Sequence, residues 1–199
     1  MLALGSRFLN RTDDMEVAKQ LMKTCGSFYS DSRTGLGPEE VRFEHRPLKR
    51  TRSSSLAAFI DDIVGSTDDS DGKSDPLRAE HMESIAQKGY YVSSPSYILR
   101  PEVIESFMYL YRATGDTTYQ EQGWEAFKAI EKHTRTSAAY ATIKNVDSNQ
   151  DSDNYQDSMP SFFVAETLKY LYMLFSDPSF YSLEEYVFNT EAHPYKIQK

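Results

Sequence analysis

Leu99-Arg-Pro-Glu-Val-Ile-Glu-Ser-Phe-Met-Tyr-Leu-Tyr-Arg-Ala-Thr-Gly115 reads as one amphipathic helix with both ends marked. Pro101 suits a first helical position, where its missing N–H costs nothing, and Gly115 suits the left-handed residue that closes a helix. Between them Val103, Ile104, Phe107, Met108 and Tyr111 recur at three- and four-residue steps, so one face is apolar. A second helix restarts at Asp116 or Thr117 and carries Tyr119, Gly123, Phe127 and Ile130. A third runs from about Met159 to Phe175, with Pro160 in its first turn. Helices joined by such short loops pair as hairpins. The expected class is all-α, built as a bundle, solenoid or toroid, although no fixed-period repeat is visible.

Upstream, Thr12 or Asp13 starts another helix, with Asp13 and Glu16 at capping-box spacing. Met15, Ala18, Leu21, Met22, Cys25 and Tyr29 form its apolar face, and Thr34-Gly-Leu-Gly-Pro-Glu39 follows as a turn. Downstream, Ala138 to Val146 reads as extended. Tyr186-Val-Phe188 reads as a short strand running into Asn189-Thr-Glu-Ala-His-Pro194. Residues from about 45 to 80 differ: a basic run at 45–52, three serines, and then mostly Ser, Thr, Asp and Gly from Gly65 to Asp75. Such a stretch buries little and is expected to be a mobile, low-complexity surface insertion. Its basic residues also suit phosphate binding or a localisation signal.

The 199 residues hold 22 Lys+Arg against 30 Asp+Glu, a net charge of −8. That acidic balance argues against nucleic acid or an anionic membrane as partner. Aromatic content of 13% excludes global disorder, and a single cysteine excludes a disulfide-stapled miniprotein. No apolar run approaches the roughly 18 residues of a membrane span. Met1-Leu-Ala-Leu-Gly-Ser6 lacks the regions of a secretory signal, which leaves two readings: a cytosolic protein, or a chain whose true start lies upstream. Asn10-Arg-Thr12 is a sequon for N-glycosylation in a secretory setting.

Three acidic features interrupt apolar faces. Glu102 and Glu105 stand three apart at a helix start, where capping on a solvated face competes with a paired-carboxylate site. Glu166 sits within Phe162-Phe-Val-Ala-Glu-Thr-Leu-Lys-Tyr170; a salt bridge to Lys169 or Lys144 competes with a sugar site made of an aromatic platform and an acid. Thr190-Glu191 follows a strand, and a threonine offers a hydroxyl and a carbonyl, two hard oxygens suited to calcium; an ordinary ST turn is the alternative. There is no phosphate loop, no nucleophile elbow and no CxxC pair. Paired carboxylates are the remaining catalytic material, and they suit glycoside hydrolysis.

Leu99 to Ser106, Met159-Pro-Ser-Phe-Phe-Val-Ala-Glu-Thr-Leu-Lys-Tyr-Leu-Tyr172 and Tyr186 to Pro194 together resemble glycoside hydrolase family 47. These are the class I α-1,2-mannosidases that trim N-glycans, with the related ER-degradation-enhancing mannosidase-like proteins. Residues 1–6 and Thr34 to Glu39 match as well, so the likeness covers nearly everything except the insertion. It implies an (αα)7 toroid of helical hairpins, plugged at one end by a β-hairpin whose tip carries Ca2+. This chain matches the carboxy-terminal part only, a partial catalytic domain spanning 1–199, as in a truncated gene or fragment. The likeness also implies a partner for Cys25 just upstream of Met1.

Residue by residue, Glu102 matches the general base of an inverting reaction, and Glu39 another acid of the active-site floor. Arg100, Glu105, Glu166 and Glu191 match residues that bind substrate or calcium-coordinated water. Phe162 matches the aromatic floor under the terminal mannose, and Thr190 the one residue that binds Ca2+ directly. The family's general acid and a second catalytic aspartate fall in the part this chain does not match, so inactivity alone is expected. The insertion is longer than usual, and Pro160 replaces a polar residue of many relatives.

The implied activity is removal of α-1,2-linked mannose from high-mannose N-glycans in the secretory pathway (ER or Golgi lumen, or secreted). Membrane association would come only through an upstream anchor. The alternatives are a mannose-binding quality-control factor of the degradation-enhancing type with weak or no hydrolysis, and a ligand-free helical scaffold.

Overall fold

A computed structural model describes residues 2–43, 76–148 and 151–198. The basic run and the Ser/Asp-rich stretch up to residue 75 lie outside them. Two units are present: Glu40–Ser94, and the residues up to Glu39 together with those from Pro95 onward.

The larger unit begins with α1 (Leu2–Phe8) and α2 (Thr12–Ser30), which pack as a hairpin. Helix α1 is unannounced in the sequence, being too short for a periodic face. The capping box at the start of α2 does not form. Arg11 occupies the N-cap position without a side-chain hydrogen bond, and Glu16 instead pairs with Lys19 at 2.8 Å. Helix α4 (Glu102–Thr114) behaves as expected: Pro101 precedes it, and Gly115 closes it at φ 74° with its N–H on the Tyr111 carbonyl. Its interior residues Ile104, Phe107, Met108 and Leu110 are buried. Helix α5 (Thr118–His133) packs back on α4, and α7 (Leu168–Phe175) packs on both.

Gly123 on α5 allows that approach, since a Cβ there would stand 2.3 Å from Leu174 Cδ2 on α7. Polar ties finish the joint. The Arg112 guanidinium donates to the carbonyls of Met173, Pro178 and Phe180, and Gln120 donates to that of Leu174.

The expected third helix starts differently. Residues Phe163–Thr167 form a π turn before α7 begins. The extended stretch from Ala138 contracts to β3 (Thr142–Ile143), which pairs with β4 (Tyr155–Gln156) after the short α6 (Asp151–Asn154). Tyr97 and Ile143 exchange backbone hydrogen bonds of 3.0 and 2.9 Å, anchoring the approach to α4. β5 (Tyr186–Phe188) and β6 (Pro194–Lys196) make the expected carboxy-terminal hairpin.

In the smaller unit β1 (Glu40–Arg42) pairs antiparallel with β2 (Tyr91–Ser94), and α3 (Pro76–Lys88) packs on β2. His81 stacks on Tyr91 at 4.2 Å. The last residues of the expected insertion are therefore helical. Among the described residues helices predominate, with short two-stranded sheets beside them. Among the described residues no helix is long and apolar enough to cross a membrane.

Two consequences are measurable. Trp124 on α5 and Tyr172 and Phe175 on α7 are 48%, 66% and 45% exposed, and Trp124 meets Phe175 edge-on at 5.8 Å. An aromatic surface of this kind drives association. The 199-residue chain is expected to sediment as oligomers at micromolar concentration, and a monomer would contradict this. Second, a Cβ on Gly37 would lie 2.4 and 2.8 Å from the Tyr29 ring, which packs edge-on against buried Tyr97. Gly37→Ala is expected to cost about 1–3 kcal/mol in denaturant unfolding, the usual range for overpacking.

Candidate active site

The expected site residues come from four stretches of the larger unit. Glu39 ends the Thr34 turn, held by its N–H on the Ser96 carbonyl at 2.7 Å. Arg100, Glu102 and Glu105 sit at the start of α4, Phe162 and Glu166 at the π turn, and Thr190 and Glu191 at the hairpin tip.

Arg100 joins several of them. Its Nε donates to Glu39 Oε1 at 2.6 Å, its Nη1 lies 3.8 Å from Glu102 Oε1, and its guanidinium sits 5.8 Å from the centre of the Phe162 ring. Two carboxylates and an aromatic face thus share one cation. Glu102 is exposed, so the first-turn carboxylate points into solvent rather than capping its own helix.

Glu105 is half-buried and accepts a hydrogen bond from the Tyr170 hydroxyl at 3.1 Å. Burial raises its pKa above the ordinary 4.5, opposed by that hydrogen bond and reinforced by the charges of Glu102 and Glu166. The Tyr170 hydroxyl is itself pushed far up by burial and by Glu105.

Glu166 is raised as well, by burial first and then by Glu102 and Glu191, with Lys169 and His193 acting against it. The salt bridge expected from its aromatic setting is not made. Lys169 Nζ goes to the Ala192 carbonyl at 3.0 Å, and Lys144 Nζ to that of Asp153 at 3.0 Å. Among the described residues no cation lies within ion-pair distance of Glu166.

At the hairpin tip, Asn189 rather than Thr190 organises the turn. Its Oδ1 accepts the N–H groups of Glu191 at 3.1 Å and His193 at 2.9 Å. The exposed Thr190 hydroxyl has no hydrogen-bond partner among the described residues, so the ST-turn reading does not apply. His193 Nδ1 stands 3.9 Å from Glu191 Oε2 and 3.4 Å from Asn189 Nδ2.

All eight expected residues lie in one unit, and electrostatic coupling runs from Glu105 through Glu102 and Glu166 to Glu191. Among the described residues no three His, Cys, Asp or Glu side chains converge to chelate a metal. The threonine hydroxyl and the carboxylates are hard oxygen donors, the type that a hard cation accepts.

The roles of Tyr170, Lys169 and Asn189 escape sequence reading. Tyr170 stands four residues from Glu166, and spacing could have flagged it, but it reads equally well as core.

A pH dependence follows. Both Glu105 and Glu166 have folded pKa values raised above the ordinary 4.5. A carboxyl of this kind favours the folded state while protonated, and that contribution is lost as pH rises through the folded values. In metal-free buffer the urea midpoint is expected to fall as pH climbs through the window just above 4.5. Glu105→Gln and Glu166→Gln should each flatten the fall. An unchanged slope in both would refute the coupling.

The profile of Glycosyl hydrolase family 47 matches residues 1–197. The chain is 38% identical over 200 residues to human mannosyl-oligosaccharide 1,2-alpha-mannosidase IC, covering 99% of this chain and 25% of that protein. It is 38% identical over 198 residues to the human endoplasmic reticulum mannosyl-oligosaccharide 1,2-alpha-mannosidase, covering 98% of this chain and 23% of that one. The chain thus spans about a quarter of the length of these relatives. The solved structure of alpha-1,2-mannosidase from Trichoderma reesei superimposes with a TM-score of 0.76 at 32% identity, over 99% of this chain and 37% of that chain. On its sequence and its fold, the chain belongs to glycosyl hydrolase family 47.

Proposed function

We propose that the chain forms the carboxy-terminal part of an inverting, calcium-dependent mannosyl-oligosaccharide 1,2-α-mannosidase. Its substrates are high-mannose N-glycans on glycoproteins in the secretory pathway, in the ER or Golgi lumen or after secretion. The observation that carries this reading is the Arg100 junction, which puts Glu39, Glu102 and the Phe162 face around one guanidinium. The helical hairpins then belong to an (αα)7 toroid, with the β5–β6 hairpin as its plug.

In this mechanism Phe162 offers its ring to the apolar face of the terminal mannose, and Arg100 donates hydrogen bonds to its hydroxyls. Glu102, exposed at the amino end of α4, takes a proton from the attacking water. Glu39 fixes Arg100 through its Nε, leaving the Nη1 edge 3.8 Å from Glu102. In an inverting enzyme a second acid protonates the leaving oxygen from the other face of the sugar. That acid comes from outside the 199 residues, and the chain alone is accordingly inactive.

Thr190 would hold Ca2+ through its hydroxyl and carbonyl, with Glu105, Glu166 and Glu191 accepting hydrogen bonds from the ion's waters. Bound calcium would supply a positive charge that relieves the mutual repulsion of these acids and fixes sugar hydroxyls.

The test is a hybrid in which this chain replaces the matched segment of the Trichoderma mannosidase. It should release α-1,2-linked mannose in the presence of calcium. Glu102→Gln should lower turnover by about 100-fold or more, the usual scale for a lost general base, with glycan affinity largely kept. Thr190→Ala should shift the calcium titration to higher concentration, and excess calcium should partly restore it without helping Glu102→Gln. Near-normal turnover in Glu102→Gln would overturn the catalytic assignment. Glycan binding without any mannose release in the unmodified hybrid would favour the degradation-enhancing type of function.

A further inference from the structure

Two carbonyls in the larger unit share an unusual combination of properties. Leu99 and Ala192 are both fully buried, and both are non-glycine residues in the left-handed region, at φ 66° and 58°. Such residues are strained and persist only where surrounding contacts hold them. Each carbonyl receives a hydrogen bond from a side chain on the same helical turn. The Thr167 hydroxyl donates to Leu99 O at 2.7 Å, and Lys169 Nζ donates to Ala192 O at 3.0 Å. Leu99 immediately precedes Arg100 and lies three residues before Glu102; Ala192 immediately follows Thr190-Glu191.

We propose that Thr167 and Lys169 are positioning residues, two arms of one clamp that set the loop carrying Arg100 and Glu102 and the hairpin tip carrying Thr190 and Glu191 against the helix carrying Glu166. The catalytic part of this inference rests on the function proposed above, whereas the clamp itself rests on the two hydrogen bonds. The π turn is what makes the clamp work. Its wide register places Glu166 half-exposed while Thr167, one residue later, is completely buried and aimed at Leu99. π turns concentrate at functional sites for this reason: they re-aim consecutive side chains within an otherwise regular helix. Among the described residues the Thr167 hydroxyl has no hydrogen-bond acceptor other than Leu99 O.

The experiment has two readouts. Hydrogen exchange is followed by mass spectrometry on the 199-residue chain, and turnover on the hybrid. Thr167→Val should accelerate exchange across residues 97–106 and leave 186–196 unchanged. Lys169→Met should do the reverse. Thr167→Ser and Lys169→Arg, which keep a donor, should restore both patterns. In the hybrid, Thr167→Val should lower kcat by about 10- to 100-fold with KM changed less than about threefold, as expected when a reacting group is displaced by up to ~1 Å. Thr167→Ser should recover most of the rate. A purely structural threonine would lower the melting temperature with kcat per folded molecule unchanged, and that result would overturn the positioning role. Unchanged exchange over 97–106 in Thr167→Val would overturn the clamp. A hybrid with no mannosidase activity in unmodified form would instead overturn the proposed function, and the exchange data would then decide the clamp alone.

Discussion

The left-handed turn at Leu99 is the constraint from which the site follows. The strand-like segment before it is fixed by the Tyr97–Ile143 hydrogen bonds, and the helix after it is fixed by burial of Ile104, Phe107 and Met108. Between these anchors Leu99 passes through the left-handed region, and proline at 101 restricts the residue before it. The resulting backbone throws Arg100 outward beside Glu39 and starts α4 with two glutamates in its first turn.

Electrostatics then divides the site into two parts. Around Arg100 two carboxylates meet one cation: Glu39 is hydrogen-bonded to it, and Glu102 stands 3.8 Å from it. Towards the hairpin the charge is unbalanced: Glu105 and Glu166 are shifted upward by burial and by neighbouring acids, and the nearest lysine spends its protons on a backbone carbonyl. An ordinary surface would relax such repulsion by letting the side chains drift into water. Here Tyr170 holds Glu105 in place, and the π turn fixes the direction of Glu166.

Much of the helical fold was legible in the sequence, because Pro101, Gly115 and the periodic apolar residues of α4 and α5 state their ends and faces in local code. The candidate site residues were nominated by motif likeness, and all eight lie in the larger unit. What stayed hidden was register and side-chain direction. Nothing in Phe163-Val-Ala-Glu-Thr167 distinguishes an i→i+5 turn from an i→i+4 one, since both present similar apolar spacing over a single turn. The capping box at Asp13 and Glu16 was a local pattern outcompeted by a tertiary one: α1 fixes where α2 begins, and Glu16 finds Lys19 instead. The carboxy-terminal turn was read for its threonine, whereas the side-chain carbonyl of Asn189 accepts two N–H groups and organises it.

Helix α4 has one more property. Its amino end carries the glutamates, and its carboxy end is pinned by Arg112 to three carbonyls in and after α7. Thirteen residues make a rod of roughly 20 Å that is buried along most of its length. A rod fixed at one end and buried on its flank has little freedom except to shift along its axis. The loop at 176–180 therefore acts as the far stop of that rod, and the depth at which Glu102 stands in the site is set at the opposite edge of the unit.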